Sequence, residues 1–400
     1  MEDKKEFLGQ NQKKLFKLPK LKVLSKFKNF QKANGNKNIL YIIIAVLILI
    51  ITILLFIIFF TNSESDNYND LLNPKLEDYI YMNSSEMDEP KDLFVYKGDS
   101  TEIKDKERIR ICYCIDNNLV YPTLVSMTSA LENNNNEKNV IVFYLFFPHN
   151  FDTNTIEIFE SLRKKYLLKI YYFMIPPRFN NFRKWSYGTF TSYFKLFIPI
   201  VLPHIKRILY LDSDTLVYKD LYELFNLDFK DNYALGYPFH TVKMTDKWNS
   251  KIINYIHGGV LLLNLEKMIF DIKDVELMNF AFKNNNQLNY LDQDALNIVF
   301  YNKTGLLPLK YGIYLFGDIT TYKKNIKPLL RIELDEKELI DALNEPSLIH
   351  FSGCYPNIWV NKFHNPFGDN SMCNKAHKDF YFYASKTEYD DVIRSKYLKT

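Results

Sequence analysis

The chain has 400 residues with 51 Lys+Arg against 47 Asp+Glu, and a formal charge of +4 argues against a nucleic-acid binder that works through bulk charge. With 47% hydrophobic and 16% aromatic residues and only 12 Gly and 15 Pro, the composition supports a large packed core and excludes a disordered or fibrous protein. Four cysteines, Cys112, Cys114, Cys354 and Cys373, are too few for a disulfide scaffold and lack the paired spacing of a structural zinc site.

The even total charge hides an asymmetry at the N-terminus. Residues 1–38 carry eleven lysines, and the 22 residues from Ile39 to Phe60 then run without a charge. At about 1.5 Å per residue that run spans roughly 33 Å, enough for a bilayer core of about 30 Å. No small-residue cleavage pattern comes after it, so it reads as a transmembrane anchor rather than a cleaved leader. Segment 61–108 holds thirteen acidic residues and six basic ones, and the lysine-rich flank marks the cytoplasmic side. The expectation is a single-pass type II membrane protein, its head facing the Golgi or ER lumen if the source is eukaryotic. Sequons at Asn83 and Asn302 are compatible with that compartment and with a glycoprotein. The expected organisation is a basic tail (1–38), a membrane helix (39–60), a polar acidic stem (61–107), a catalytic head (108–365) and a C-terminal extension (366–400).

Within the head, apolar β-prone runs alternate with helix-length segments. IRICYCI, VIVFYLFF and KIYYFMI read as strands, separated by the helical PTLVSMTSALENN and FDTNTIEIFESLRKKY. A helical TSYFKLFIPIVL leads into RILYLDSDTLV, a strand that ends in two carboxylates. Downstream come YIHGGVLLLNLEKM, a strand with a glycine bend, then the helical YLDQDALNIVFYNK, the loop LPLKYGIYLF and the segment SLIHFSGCYPNIW. The alternation predicts an α/β head with a largely parallel sheet covered on both faces. Cys112 and Cys114 share one strand face and read as core thiols, whereas Cys354 and Cys373 are open to pairing in an oxidising lumen.

Asp212 and Asp214 fall where open α/β sheets build their sites, at the carboxyl end of a strand. Where a strand breaks into a turn, residues i and i+2 can both reach one hard cation, and two carboxylates on a divalent ion suit a diphosphate ligand. The same tripeptide also serves as a helix cap elsewhere, and D-x-D-x-T fits phosphatases of the haloacid-dehalogenase type, with Asp212 as nucleophile.

The strings LYLDSDTLVYKDLYELFNLD, IHGGVLLLNLEKM, LDQDALN and IHFSGCYPNIW, in that order over about residues 108–360, resemble glycosyltransferase family 8. The family comprises retaining nucleotide-sugar transferases such as glycogenin and bacterial lipopolysaccharide galactosyl- and glucosyltransferases. The resemblance implies a GT-A fold, Rossmann-like, in which Asp212 and Asp214 hold Mn²⁺ (or Mg²⁺) on the donor's phosphates and His350 completes the metal site. It implies that Gly353 lets backbone approach the phosphate, that Cys114, Asp116 and Asn118 cradle the uridine, and that Lys195 contacts phosphate. Ser213, His257 and Gly258 are expected along the nucleotide sugar, and Asp292 and Gln293 of the D-Q-D block, which ends in Asp294, are expected to face the transferred sugar as the catalytic pair. Three departures stand out: Lys195 where the relatives carry Arg, Pro356 in the place of a lysine of the histidine block, and His257 where an amide is usual.

The function implied is Mn²⁺-dependent transfer of a hexose from UDP-glucose or UDP-galactose to a glycan, protein or lipid hydroxyl, with retention. A degenerate, non-catalytic head that binds glycans or scaffolds at the membrane is the alternative, beside the phosphatase. Homodimerisation stays open, and no nucleic acid is expected.

Overall fold

The computed structural model describes residues 107–134, 139–175, 190–239, 254–314, 332–351 and 371–398, with a few isolated positions between them. The expected tail, membrane helix and nearly all of the stem lie outside the described residues, as do Asn83, Gly353, Cys354 and Pro356. Among the described residues no helix is long and apolar enough to cross a membrane.

The first apolar runs form β1 (Glu107–Cys114), β2 (Asn139–Pro148) and β3 (Leu168–Ile175), with helix α1 (Val120–Asn133) between the first two. Every residue of β2 is buried, as a strand covered on both faces requires. β4 (Arg207–Leu211) pairs parallel with β1 and sets Cys112 opposite Tyr210. Beyond it the sheet changes character. β7 (Ile256–Asn264) lies antiparallel to β4 and to β6 (Ala234–Pro238), and β6 pairs parallel with β8 (Thr304–Leu306). The order β3-β2-β1-β4-β7-β6-β8 is therefore mixed: the two pairings of β7 are antiparallel and the other four are parallel. A parallel crossover needs a dozen or more residues, usually a helix, whereas a chain that returns by a loop pairs antiparallel.

Side-chain alternation splits the core in two. Ile111, Tyr113, Leu209 and Leu211 face α1 with its Leu124 and Met127, while Cys112, Ile208 and Tyr210 face the opposite layer. That layer is built by α2 (Lys273–Asn284) and α3 (Leu291–Val299). Cys112 and Cys114 are buried free thiols on that second face, as the strand period requires.

Two segments differ from the sequence expectation. TSYFKLF, expected as an α-helix, is a 3₁₀ helix over Thr191–Phe197, continued by only four α-helical residues. The supposed loop LPLKYGIYLF contains β9 (Tyr311–Tyr314), which pairs with β10 (Leu348–His350). β10 pairs in turn with β5 (Thr215–Val217), giving a second sheet in the order β5-β10-β9. The element directly after Asp214 is thus a strand, not a helix that the aspartates would cap. The helix α4 (Glu336–Asn344) precedes β10 and is capped by the Asp335 carboxylate, which accepts from the Glu338 N–H.

The C-terminal helices α5 (Ser371–Ala384) and α6 (Asp390–Tyr397) close a third core. In it Phe380, Tyr383 and Ile393 pack with Val125 of α1, Leu216 and Ile349. Cys373 is buried in this core and disulfide-bonded.

Candidate metal and nucleotide-sugar site

β4 stops at Leu211 because the next backbone groups leave the ladder. The Asp212 N–H still donates to the Gly259 carbonyl of β7 at 2.8 Å, but Thr215 Oγ1 caps the Asp212 carbonyl at 2.8 Å and turns the chain. This turn is fixed from behind by α1. Ser213 Oγ bonds Thr123 Oγ1 at 2.8 Å, and Thr215 Oγ1 bonds Ser126 Oγ at 2.9 Å, which in turn meets Tyr113 Oη at 2.9 Å. Three buried hydroxyls of β1 and α1 thereby specify where the two carboxylates point.

The small sheet brings the third group. Register pairing of His350 with Thr215 places the imidazole beside the turn, with Nε2 2.9 Å from Asp214 Oδ1 and 3.5 Å from Asp212 Oδ2. Its other nitrogen, Nδ1, is hydrogen-bonded to Tyr237 Oη at 2.7 Å, which fixes the ring. One ligand atom from each of Asp212, Asp214 and His350 lies within 4.8 Å of the others. Two hard carboxylate oxygens and one imidazole nitrogen are a donor set that suits a divalent metal ion. Gly259 makes room for the convergence: a Cβ there would sit 2.2 Å from His350 Cε1 and 2.7 Å from Asp212 Oδ2. Burial acts to lower the His350 pKa, but the Asp214 and Asp212 charges outweigh it and raise it above the usual histidine range.

Behind the aspartates lies a buried polar layer. Lys195 is 4% exposed, so its charge needs partners; Nζ sits 2.8 Å from Asp292 Oδ2 and 3.8 Å from Asp212 Oδ1, and donates to the Gly258 carbonyl at 2.7 Å. It also lies 4.3 Å from the centre of the Tyr210 ring, whose hydroxyl donates to Asp212 Oδ1 at 2.6 Å. Burial would lower the lysine pKa, yet Asp212 and Asp292 raise it, so the ammonium stays charged. Gln293 uses both ends of its amide: Oε1 accepts from the Gly258 N–H at 2.9 Å, and Nε2 donates to Tyr255 Oη at 3.3 Å. Asp294 accepts from the N–H groups of Asn289 and Tyr290 and from Tyr255 Oη, so it holds the start of α3.

A cavity of about 450 Å³ opens in front of this layer. Tyr210, Asp212, Ser213 and Asp214 line it from β4 and the turn after it, and Cys114, Asp116 and Asn118 line it from the end of β1 and its loop. The Asn118 N–H donates to Asp116 Oδ1 at 2.8 Å, so the loop after β1 presents both residues as a polar turn. The expected site residues therefore fall into two groups around one cavity, with Lys195, Asp292 and Gln293 in the layer beneath. Lys195 is turned to Asp292 rather than into the cavity. His257 is turned inward as well: its ring stacks on Tyr237 at 4.8 Å and meets His350 edge-on at 4.9 Å, while Nδ1 accepts from the Gly259 N–H at 2.9 Å. The residues sequence reasoning missed are Tyr237, Tyr255 and Asn297. Asn297 clamps both backbone groups of Ile256 at 2.8 Å, and its place one helical turn after Gln293 was a usable signal.

Among curated proteins, the chain is 26% identical over 228 residues to the lipopolysaccharide 1,3-galactosyltransferase of Salmonella typhimurium, covering 52% of this chain and 64% of that protein. It is likewise 26% identical over 239 residues to a lipopolysaccharide 1,2-glucosyltransferase of Escherichia coli, covering 56% and 67%. The chain thus spans about two thirds of the length of these relatives. Among solved structures, the galactosyltransferase LgtC in complex with donor and acceptor sugar analogues aligns with a TM-score of 0.51 at 20% identity, covering 68% of this chain and 95% of that one. The bifunctional glycosyltransferase WbbM aligns with a TM-score of 0.57 at 18% identity, covering 73% and 52%. These likenesses bear out the α/β GT-A-like fold. Residues 110–356, from the middle of β1 to past His350, match Glycosyl transferase family 8, and the chain belongs to that family.

Proposed function

We propose that the chain is a retaining glycosyltransferase that moves a hexose from a UDP-sugar, glucose or galactose, to a hydroxyl of a glycan, protein or lipid. The observation that carries this reading is the convergence of Asp212, Asp214 and His350, with both aspartates lining a cavity that Asp116 and Asn118 also line. The galactosyl- and glucosyltransferase names of the relatives support the hexose, and family membership weighs against the phosphatase reading of Asp212.

In this reading Asp212, Asp214 and His350 would hold a divalent ion, which when bound would stabilise negative charge on the UDP leaving group. Asp116 and Asn118 would take the uridine through the polar turn that already fixes one Asp116 oxygen. Gln293 cannot ionise and has both amide atoms engaged, so it offers no nucleophile for a double displacement. Attack from the face the UDP leaves fits better: the acceptor oxygen bonds to the anomeric carbon, the bond to the β-phosphate oxygen breaks, and that oxygen takes the acceptor's proton. Asp292, held by Lys195, and Gln293, held by Gly258 and Tyr255, would position the sugar. The apolar run 39–60 would anchor this head outside the cytosol as a type II membrane protein.

Hydrolysis of UDP-glucose and UDP-galactose by the full-length chain with Mn²⁺ tests the reading. Asp214→Ala should lower it about a thousandfold, the upper range for loss of one preorganised charge-stabilising group. Equal turnover in that variant would overturn the assignment, and metal-dependent UDP binding without hydrolysis in the native chain would favour the non-catalytic head.

A further inference from the structure

We infer that Lys396, on the C-terminal helix α6, is the cation that meets the diphosphate of the nucleotide donor. The inference rests on the donor reading given above and adds to the site a residue some forty positions beyond the matched segment.

Helix α6 is attached to the site rather than hanging beside it. Ile393 and Tyr397 are buried in the third core, and Tyr397 Oη donates to the Asn118 carbonyl at 3.4 Å. The last turn of α6 is thereby held against the loop that carries Asp116 and Asn118. Lys396 and Tyr397 both line the cavity, joining Asp212 and Asp214 as walls of one space.

The charges in that space are unbalanced. Among the described lining residues three are carboxylates, Asp116, Asp212 and Asp214, and Lys396 is the single cation. A divalent ion offsets two of the carboxylates, and a diphosphate then adds at least two further negative charges in a partly desolvated cleft. Bringing it there without another cation is opposed by like-charge repulsion. Lys195 does not answer this need: its ammonium is buried and committed to Asp292 at 2.8 Å and to the Gly258 carbonyl at 2.7 Å.

Lys396 is available in a way its neighbours are not. Lys375 on α5 pairs with Asp379, and Arg394 on α6 pairs with Asp390. No carboxylate among the described residues pairs with Lys396, which is exposed and lies 5.1 Å from the ring of Tyr121 and 5.5 Å from that of Tyr397. Two aromatic faces aim the ammonium without neutralising it. A lysine is a point charge with three donors, suited to a diphosphate that needs charge more than a planar fork.

Calorimetry on the full-length chain with Mn²⁺, using UDP and uridine as probes, tests this. Lys396→Ala should weaken UDP about tenfold, the scale of one lost charge-assisted hydrogen bond. Lys396→Arg should keep near-native UDP affinity, and uridine, which has no phosphate, should bind all three proteins alike. Unchanged UDP affinity in Lys396→Ala would overturn the inference, and so would an equal loss for UDP and uridine, the mark of a merely structural residue. If the native chain bound no UDP, the donor reading would itself fail together with this one. Native binding that survives Lys396→Ala but not Asp214→Ala would sink the lysine alone.

Discussion

Two regions of the site are built to different rules. The inner one, the ends of β4 and β10 with the buried layer behind them, holds Asp212, Asp214, His350, Lys195 and Asp292, which meet partners within 2.6–2.9 Å, among them Tyr210, Tyr237, Gly258 and each other. The outer one, the loop after β1 with the end of α6, has an exposed Asn118, an exposed Lys396 and a 3.4 Å hydrogen bond between its two parts. Lys195, Asp292 and His350 are buried and paired, and Asp212 and Asp214 are partly so, whereas Asn118 and Lys396 keep their water. Burying the first set demands mutual satisfaction, because an unpaired buried charge is far more costly than an unpaired exposed one.

That contrast can be broken by substitution. The largest effect should come from Lys195→Met, which leaves Asp292 buried and unpaired and should destabilise the fold by about 3–5 kcal/mol. Adding Asp292→Leu should recover much of that in denaturant unfolding while turnover stays lost. A Lys195→Met protein as stable as the native chain would mean that the inner region is not tied together as described.

Next is Gly259→Ala, whose added methyl must displace His350 or Asp212. Overpacking of this kind costs about 1–3 kcal/mol, and Mn²⁺ affinity should fall with it. Gly258→Ala, where the nearest atom would be Asp292 Oδ2 at 3.2 Å, should be milder in both readouts. The reverse ranking would show that the close approach lies elsewhere.

The smallest effects come from two tyrosines, one behind His350 and one on α6. Tyr237→Phe removes the hydroxyl that orients His350 and should weaken Mn²⁺ binding about tenfold, as lost outer partners of metal ligands do. Tyr397→Phe removes the 3.4 Å bond to Asn118 and should leave Mn²⁺ affinity unchanged and shift stability by about 0.5 kcal/mol or less. Equal losses of metal affinity in the two variants would erase the distinction between the two regions.

Legibility in the sequence divides along local and non-local lines. Asp212, Asp214 and His350 were legible because a strand end with two carboxylates and an ordered set of downstream blocks are local patterns. Strands β1 to β4 were legible from their apolar runs. The insertion of β7 between β4 and β6 was not, because antiparallel or parallel pairing depends on where the chain returns and not on any one segment's period. β9 reads as part of a loop in sequence because its partner lies near residue 348, out of reach of a local pattern. The 3₁₀ geometry of Thr191–Phe197 was hidden because its apolar spacing suits either helix. Tyr237 and Tyr255 look like core aromatics in sequence; only the structure shows that one hydroxyl meets His350 and the other the D-Q-D block. Lys396 stood in a tail with no motif, and its place at the cavity comes from the docking of α6.

One consequence of β10 reaches beyond catalysis. His350 meets Asp214 across 136 positions of chain, so an ion shared by the two closes a long loop through the smaller sheet. Whatever grips the folded arrangement and not the open chain adds its own binding free energy to the fold. A divalent ion held there would then steady the head itself, and not only the groups that grip it.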